Sequence, residues 1–165
     1  MAEISVLMAS HNGARFIRQS LDSILNQTFS DFELIVINDA STDDTSAILD
    51  EYKCRDSRIR VYSNSENKGL TYSLNEALKK VSADSRYICR MDDDDICEPT
   101  RLEKQIDFLD SHREIGIVGS NAVIIDDSAL KHPQPLKPRE RLERLIYLSD
   151  RCTIEHKFVS GEQMF

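Results

Sequence analysis

The sequence predicts an α/β fold, a doubly wound, mainly parallel sheet flanked by helices. Three observations predict it. Short apolar runs rich in β-branched residues alternate along the chain with stretches whose apolar residues repeat at helical spacing. The runs are apolar almost throughout, as strands buried on both faces of a parallel sheet must be. Polar clusters follow three of them, at Ser10-His11-Asn12, at Asp39 and at Asp92 to Asp95. Those are the carboxyl ends of strands, where sheets of this kind bind ligands.

Ile4 to Ala9 is the first such strand, and the polar break Ser10-His11-Asn12-Gly13 ends it. Between Ala14 and Gln27, Ile17, Leu21, Ile24 and Leu25 give a helix one apolar face. Phe32 to Ile37 is the second strand, closed by the polar segment Asn38 to Thr45. Thr42 or Asp43 is the expected cap of a second helix, which turns Ile48, Leu49 and Tyr52 inward. Ile59 to Tyr62 is a short third strand, Asn64 to Gly69 a polar turn, and Leu70, Leu74, Ala77, Leu78 and Val81 the stripe of a third helix. Arg86 to Met91 is the fourth strand. Thr100 and Glu103 have the spacing of a capping box ahead of a helix carrying Leu102, Ile106 and Leu109. Residues 117–120 and 122–125 form a fifth strand region. Pro133, Pro135 and Pro138 mark a loop, and Arg141 to Leu148 reads as a further helix.

Composition narrows the function. With 165 residues the chain is long enough for one domain with a real core. Acidic side chains number 29 against 21 basic ones, and the net charge of −8 argues against binding nucleic acid through its phosphates. Cys54, Cys89, Cys97 and Cys152 form no C-x-x-C pair, so neither a zinc site nor a disulfide framework is expected. His11, His112, His132 and His156 are equally scattered. No apolar run approaches the roughly 18 residues of a transmembrane helix, and the start lacks a basic leader. The expected location is cytoplasmic, with the inner face of a membrane as the alternative.

The sequence turns on Asp92-Asp93-Asp94-Asp95. Adjacent ionised carboxylates repel, so the cluster costs free energy unless its side chains diverge into water or a cation sits among them. A solvated acidic loop is the plain reading; a hard divalent cation, Mg²⁺, Mn²⁺ or Ca²⁺, is the functional one. An EF-hand is excluded, because Ile96 stands where an oxygen ligand belongs and Cys97 where the loop needs glycine. No phosphate-binding P-loop or G-x-G-x-x-G fingerprint occurs. A receiver domain needs its acidic pair after the first strand, where this chain has His11-Asn12.

Val6 to Asn12, Leu34 to Thr45 and Met91 to Asp95 together resemble the first-strand, second-strand and D-x-D motifs of the family 2, GT-A-type glycosyltransferases. Asn67-Lys68-Gly69 and Asn75 agree with that family in order and spacing, and the match covers about the first 125 residues. The resemblance implies an enzyme that transfers sugar from a nucleotide-diphosphate sugar, usually a UDP-sugar, to a saccharide or lipid-linked saccharide acceptor with inversion. Carried across, Ala9, Ser10 and His11 would flank the base with Asn12 beside them, and Asp39 would accept from the uracil ring nitrogen. Asp92 would face ribose or sugar hydroxyls, Asp93 would belong to the same donor pocket, and Asp94 would bind the metal that bridges the phosphates. Lys68 is either a cation near the nucleotide or a solvated turn lysine. Because Ala9 and His11 stand where the family carries Pro and Tyr, His11 is either a stacking surface for the base or a satisfied loop histidine.

The resemblance also implies a general base beyond the D-x-D, in an acceptor-binding half. Nothing marks Asp126, Asp127, Glu155 or Glu162 as that base. The expected division is therefore a donor domain at 1–125 and the start of an acceptor region at 126–165, with the base beyond Phe165. The alternative is a nucleotide- and metal-binding module without turnover. Envelope or exopolysaccharide synthesis is the family's common setting.

Overall fold

The computed structural model describes residues 2–120 together with three strands at 123–125, 131–135 and 145–148. In chain order the elements are β1 (Ile4–Ser10), α1 (Ile17–Leu25), β2 (Phe32–Asn38), α2 (Thr45–Arg55), β3 (Ile59–Ser63), α3 (Leu70–Leu78), β4 (Tyr87–Arg90), α4 (Arg101–Ser111), β5 (Ile117–Gly119), β6 (Val123–Ile125), β7 (Lys131–Pro135) and β8 (Leu145–Leu148). The main sheet has the order β3-β2-β1-β4-β8-β5. Its β1, β2, β3 and β4 are parallel, and β8 runs antiparallel to both β4 and β5. The predicted α/β class and mainly parallel sheet are therefore what forms.

Every residue of β1 and of β2 is buried, which explains the unbroken apolar runs. Ile4, Val6 and Met8 pack with Leu34 and Val36 against α1, α2 and α4 through Ile17, Leu21, Ile24, Leu49, Leu102 and Ile106. Leu7, Ile35, Ile37 and Ile88 point to the opposite face and pack against Ala77 of α3. At the amino edge of the sheet the buried Glu33 accepts from Ser5 Oγ at 2.5 Å, Arg60 Nη1 at 2.6 Å and the Ser82 N–H at 2.9 Å. A charge there is tolerable because its lone pairs are matched.

The helices are shorter than their stripes suggest, and two caps differ from expectation: Asp44, not Thr42 or Asp43, stands at the N-cap of α2 and makes no side-chain cap bond. Thr100 precedes α4 without a side-chain cap. Glu103, its capping-box partner, instead accepts from Thr28 Oγ1 at 2.7 Å. Asp43 does serve the first turn of α2, accepting from the Thr45 N–H at 3.0 Å.

The segment after β5 departs most from the sequence reading. The expected fifth strand region divides, with β5 in the main sheet and β6 paired to β7 in a second sheet. The expected proline loop contains β7, and the two-stranded sheet leaves proline's missing N–H harmless at an edge. The helix expected over Arg141 to Leu148 is corrected at its second half by β8, which pairs with β4 and β5, while residues 141–144 lie outside the described ones. Leu145-Ile146-Tyr147-Leu148 is a four-residue apolar run, and a run that short carries no period to separate strand from helix. Asp126, Asp127, Cys152, Glu155, His156 and Glu162 lie outside the described residues.

Leu21 is fully buried in α1, whereas Leu70 is 49% exposed. Leu21→Ala is expected to cost about 2–5 kcal/mol in urea denaturation. Leu70→Ala should stay within about 0.5 kcal/mol.

Candidate functional site at the carboxyl edge of the sheet

Parallel pairing brings the ends of three strands to one edge, with β4 ending opposite Leu7, short of the ends of β1 and β2. Ser10 pairs with Asn38, the last residue of β2, and Leu7 pairs with Arg90, the last of β4. The loops that follow, 11–16, 39–44 and 91–100, therefore start from one edge. Side chains then lock them together. Asn12 turns through φ 56°, donates its N–H to Ser41 Oγ at 3.0 Å and accepts from the Thr42 N–H at 2.8 Å. The Ala14 N–H reaches Asp43 Oδ2 at 3.1 Å. Asparagine tolerates the left-handed region, so a polar break after β1 becomes a fixed corner.

Asp39 is 3% exposed. Its Oδ1 accepts from Asn64 Nδ2 at 2.7 Å and the Lys68 N–H at 2.9 Å, and its Oδ2 from the Gly69 N–H at 2.7 Å. Burial works against its charge, but these bonds outweigh it and hold its carboxyl below the ordinary aspartate range. Gly69 adopts φ 85°, which brings its N–H to Asp39 and starts α3. One carboxylate thus joins β2, the 64–69 turn and α3, and Oδ2 still has room for a second donor.

His11 is exposed, and its Nδ1 lies 2.7 Å from the Asp39 carbonyl oxygen. Since a carbonyl only accepts, Nδ1 carries the proton, and Nε2 faces Asn12 Nδ2 at 3.3 Å. The ring is thereby oriented over the second loop. Ala9 and Ser10 are buried. Lys68 turns its ammonium to Glu66 and contributes only its backbone N–H to Asp39.

The four aspartates do not act alike. Asp92 is held by Arg90, whose Nε donates to Oδ1 at 3.1 Å and Nη2 to Oδ2 at 3.3 Å. Its carbonyl accepts from Ser20 Oγ of α1 at 2.9 Å. Asp93 turns inward and accepts from Ser10 Oγ. Burial chiefly, and the charges of Asp94 and Asp92, push its pKa up. Gly13 lies directly against this pair: a Cβ there would sit 2.5 Å from Ser10 Oγ and collide with the Asp93 carboxylate. Asp94 stands exposed.

Among the described residues, no three His, Cys, Asp or Glu side chains are gathered as a ready-made metal cage. The donor set fits a different mode. A hard cation held by one or two carboxylates takes its remaining ligands from phosphate oxygens and water, as Mg²⁺ does. Asp94, the exposed one of the four, is a carboxylate that could serve in that mode.

Residues 5–161 match the family described as Glycosyl transferase family 2. The chain belongs to that family. The putative glycosyltransferase EpsE of Bacillus subtilis is 40% identical over 130 residues, covering 78% of this chain and 46% of that protein. The O-antigen biosynthesis glycosyltransferase WbnJ of Escherichia coli is 38% identical over 136 residues, covering 79% and 52%. This family 2 chain thus spans about half the length of these relatives. S. aureus TarS 1–349 in complex with UDP superimposes with a TM-score of 0.62 at 26% identity, over 76% of this chain and 35% of that one. The mannosyltransferase PcManGT of Pyrobaculum calidifontis shares the fold, with a TM-score of 0.67 at 19% identity over 88% and 44%. The GT-A, Rossmann-like architecture expected from the motifs is therefore present.

Sequence reading singled out Asp39 and the aspartates of this family 2 chain as candidates but not the side chains that hold them. Asn64, Gly13, Ser20 and Arg90 carry no motif of their own. Of these, only Arg90, two residues before Asp92 in the sequence, offered a local signal.

Asp39→Asn replaces a charged acceptor by one that turns an N–H toward donors, and should cost about 2 kcal/mol at pH 7. Because Asp39's folded pKa is lowered, its contribution is present above the ordinary aspartate value of about 3.9 and lost as pH falls through the folded one. Denaturation midpoints of wild type and Asp39→Asn should accordingly converge as the pH is lowered through the folded-state pKa of Asp39.

Proposed function

We propose that this chain is the donor-binding part of an inverting glycosyltransferase that takes a nucleotide-diphosphate sugar, a UDP-sugar, with Mg²⁺ or Mn²⁺. The observation that carries the reading is the joining of three strand ends through Ser10–Asp93 and Asp39. It makes one continuous polar floor from the base end to the phosphate end. UDP as the nucleotude class is supported by TarS, whose structures contain UDP and UDP-GlcNAc.

In this reading the uracil lies against Ala9, Ser10 and the oriented His11 ring, and Asp39 Oδ2 accepts from its ring N–H. Asn12 shapes the rim, and Lys68 acts through its backbone. Asp92, freed from part of its charge by Arg90, faces hydroxyls, while Asp93 holds Ser10 in place under the donor. Asp94 holds the metal, which stabilises the charge that develops on a departing diphosphate. The chain's own part is to bind and orient the donor with these groups already fixed.

We place the general base and the acceptor contacts in the portion of the relatives that this chain does not span, and take the acceptor to be a saccharide or lipid-linked saccharide. The names of WbnJ and of TuaG, a putative teichuronic acid biosynthesis glycosyltransferase of Bacillus subtilis, support that class. No helix among the described residues is long and apolar enough to cross a membrane. The place of action we propose is the cytoplasm or the inner face of a membrane.

Asp94 is exposed, so Asp94→Ala should leave thermal stability unchanged. Calorimetry should show Mn²⁺-dependent UDP binding weakened by more than about tenfold. Undiminished binding would remove Asp94 from the metal site.

A further inference from the structure

Beneath the aspartate loop lies a cation that the donor reading does not use. Arg101 is the first residue of α4, and its guanidinium folds back under residues 90–97. Nη2 donates to the Arg90 carbonyl at 3.1 Å, at the point where the chain leaves β4. Nη1 contacts Cys97 Sγ at 3.0 Å and Met91 Sδ at 3.4 Å. Cys97 Sγ in turn lies 3.2 Å from Met91 Sδ, and the Cys97 N–H donates to Ser23 Oγ at 3.0 Å. Both ends of the loop therefore meet one side chain.

The chemistry is unusual for a structural arginine. The hydrogen-bonding partners found for it are a carbonyl and two sulfurs, and its Nε is sealed from solvent with no hydrogen-bond partner. Sulfurs are weak acceptors, so these contacts offset little of the guanidinium's desolvation, and the nearby charge of Asp95 contributes to the remainder. A methionine of similar length would fill this apolar pocket at lower cost. What the guanidinium adds is geometry: a planar fork whose Nη atoms reach the entrance and the exit of the loop at once.

We infer that Arg101 is a positioning residue for the metal- and donor-binding aspartates, a clamp that fixes the path of residues 91–97 between β4 and α4. The inference rests on the donor-site reading for its consequence and on the contacts alone for the clamp. Lysine cannot reproduce it, because a single ammonium cannot span the Arg90 carbonyl and Cys97 in the same fork.

Two readouts on the whole chain test it. Amide hydrogen exchange in residues 91–97 should be faster in Arg101→Lys and faster again in Arg101→Met. Melting temperatures of both variants, measured alongside, separate loss of loop order from loss of global stability. Calorimetric binding of UDP with Mn²⁺ should weaken about tenfold in Arg101→Met, the usual scale for a residue that orients a ligand group. Ile35→Ala, which lowers stability from the opposite face of the sheet, should bind as wild type at a temperature where it is folded.

Unchanged exchange in both variants would overturn the clamp, as would binding loss that merely follows melting temperature across all three. If wild type itself bound no UDP with Mn²⁺, the donor reading would fall, and the exchange data would still decide the clamp.

Discussion

The architecture depends on β1 lying parallel between β2 and β4, in a register that ends all three at one edge. A slip of one residue would reverse which side chains face α1 and which face α3. Ile4, Val6 and Met8 on one side and Leu7 on the other are both fully committed to packing, so the register has no slack. With the register fixed, Ser10 is brought against Asp93, and its carbonyl accepts the Asp39 N–H at 2.8 Å. Function at this edge is a consequence of burial at the centre.

At that edge the charges are managed one by one. Asp39 is matched by three donors and anchors the 64–69 turn. Arg90 neutralises Asp92, Ser10 engages Asp93, and Asp94 is left facing solvent. The repulsion among neighbouring carboxylates is thus reduced by sending their side chains in different directions. Asp93 is half-buried, and burial together with the neighbouring carboxylates pushes its pKa up.

The sequence-level reading succeeded where one local signal decided the structure. Runs such as Phe32 to Ile37 could only be buried strands, and the polar residues behind them could only lie at the carboxyl edge. It failed where long-range partners decided. The four residues of β8 take strand form because the gap between β4 and β5 needs a partner, which no local period records. Thr100 and Glu103 have the right spacing for a capping box, yet Thr28 claims Glu103 from 75 positions away. In the site, residue types were legible but orientations were not. Nothing in Asp92 to Asp95 says which carboxylate turns inward; that depends on Ser10, Gly13 and Arg90.

The central claim is that one nucleotide spans the ends of β1, β2 and β4 with its metal at Asp94. Nuclear magnetic resonance of the isotope-labelled chain tests it most directly, with UDP and Mg²⁺ added first and traces of Mn²⁺ afterwards. The account predicts shifts at Ser10 to Asn12, Asp39 and Lys68 to Gly69 on adding UDP, little change with CDP, and selective Mn²⁺ broadening of the amides around Asp94. Shifts and broadening centred elsewhere, or none at saturating UDP, would contradict it.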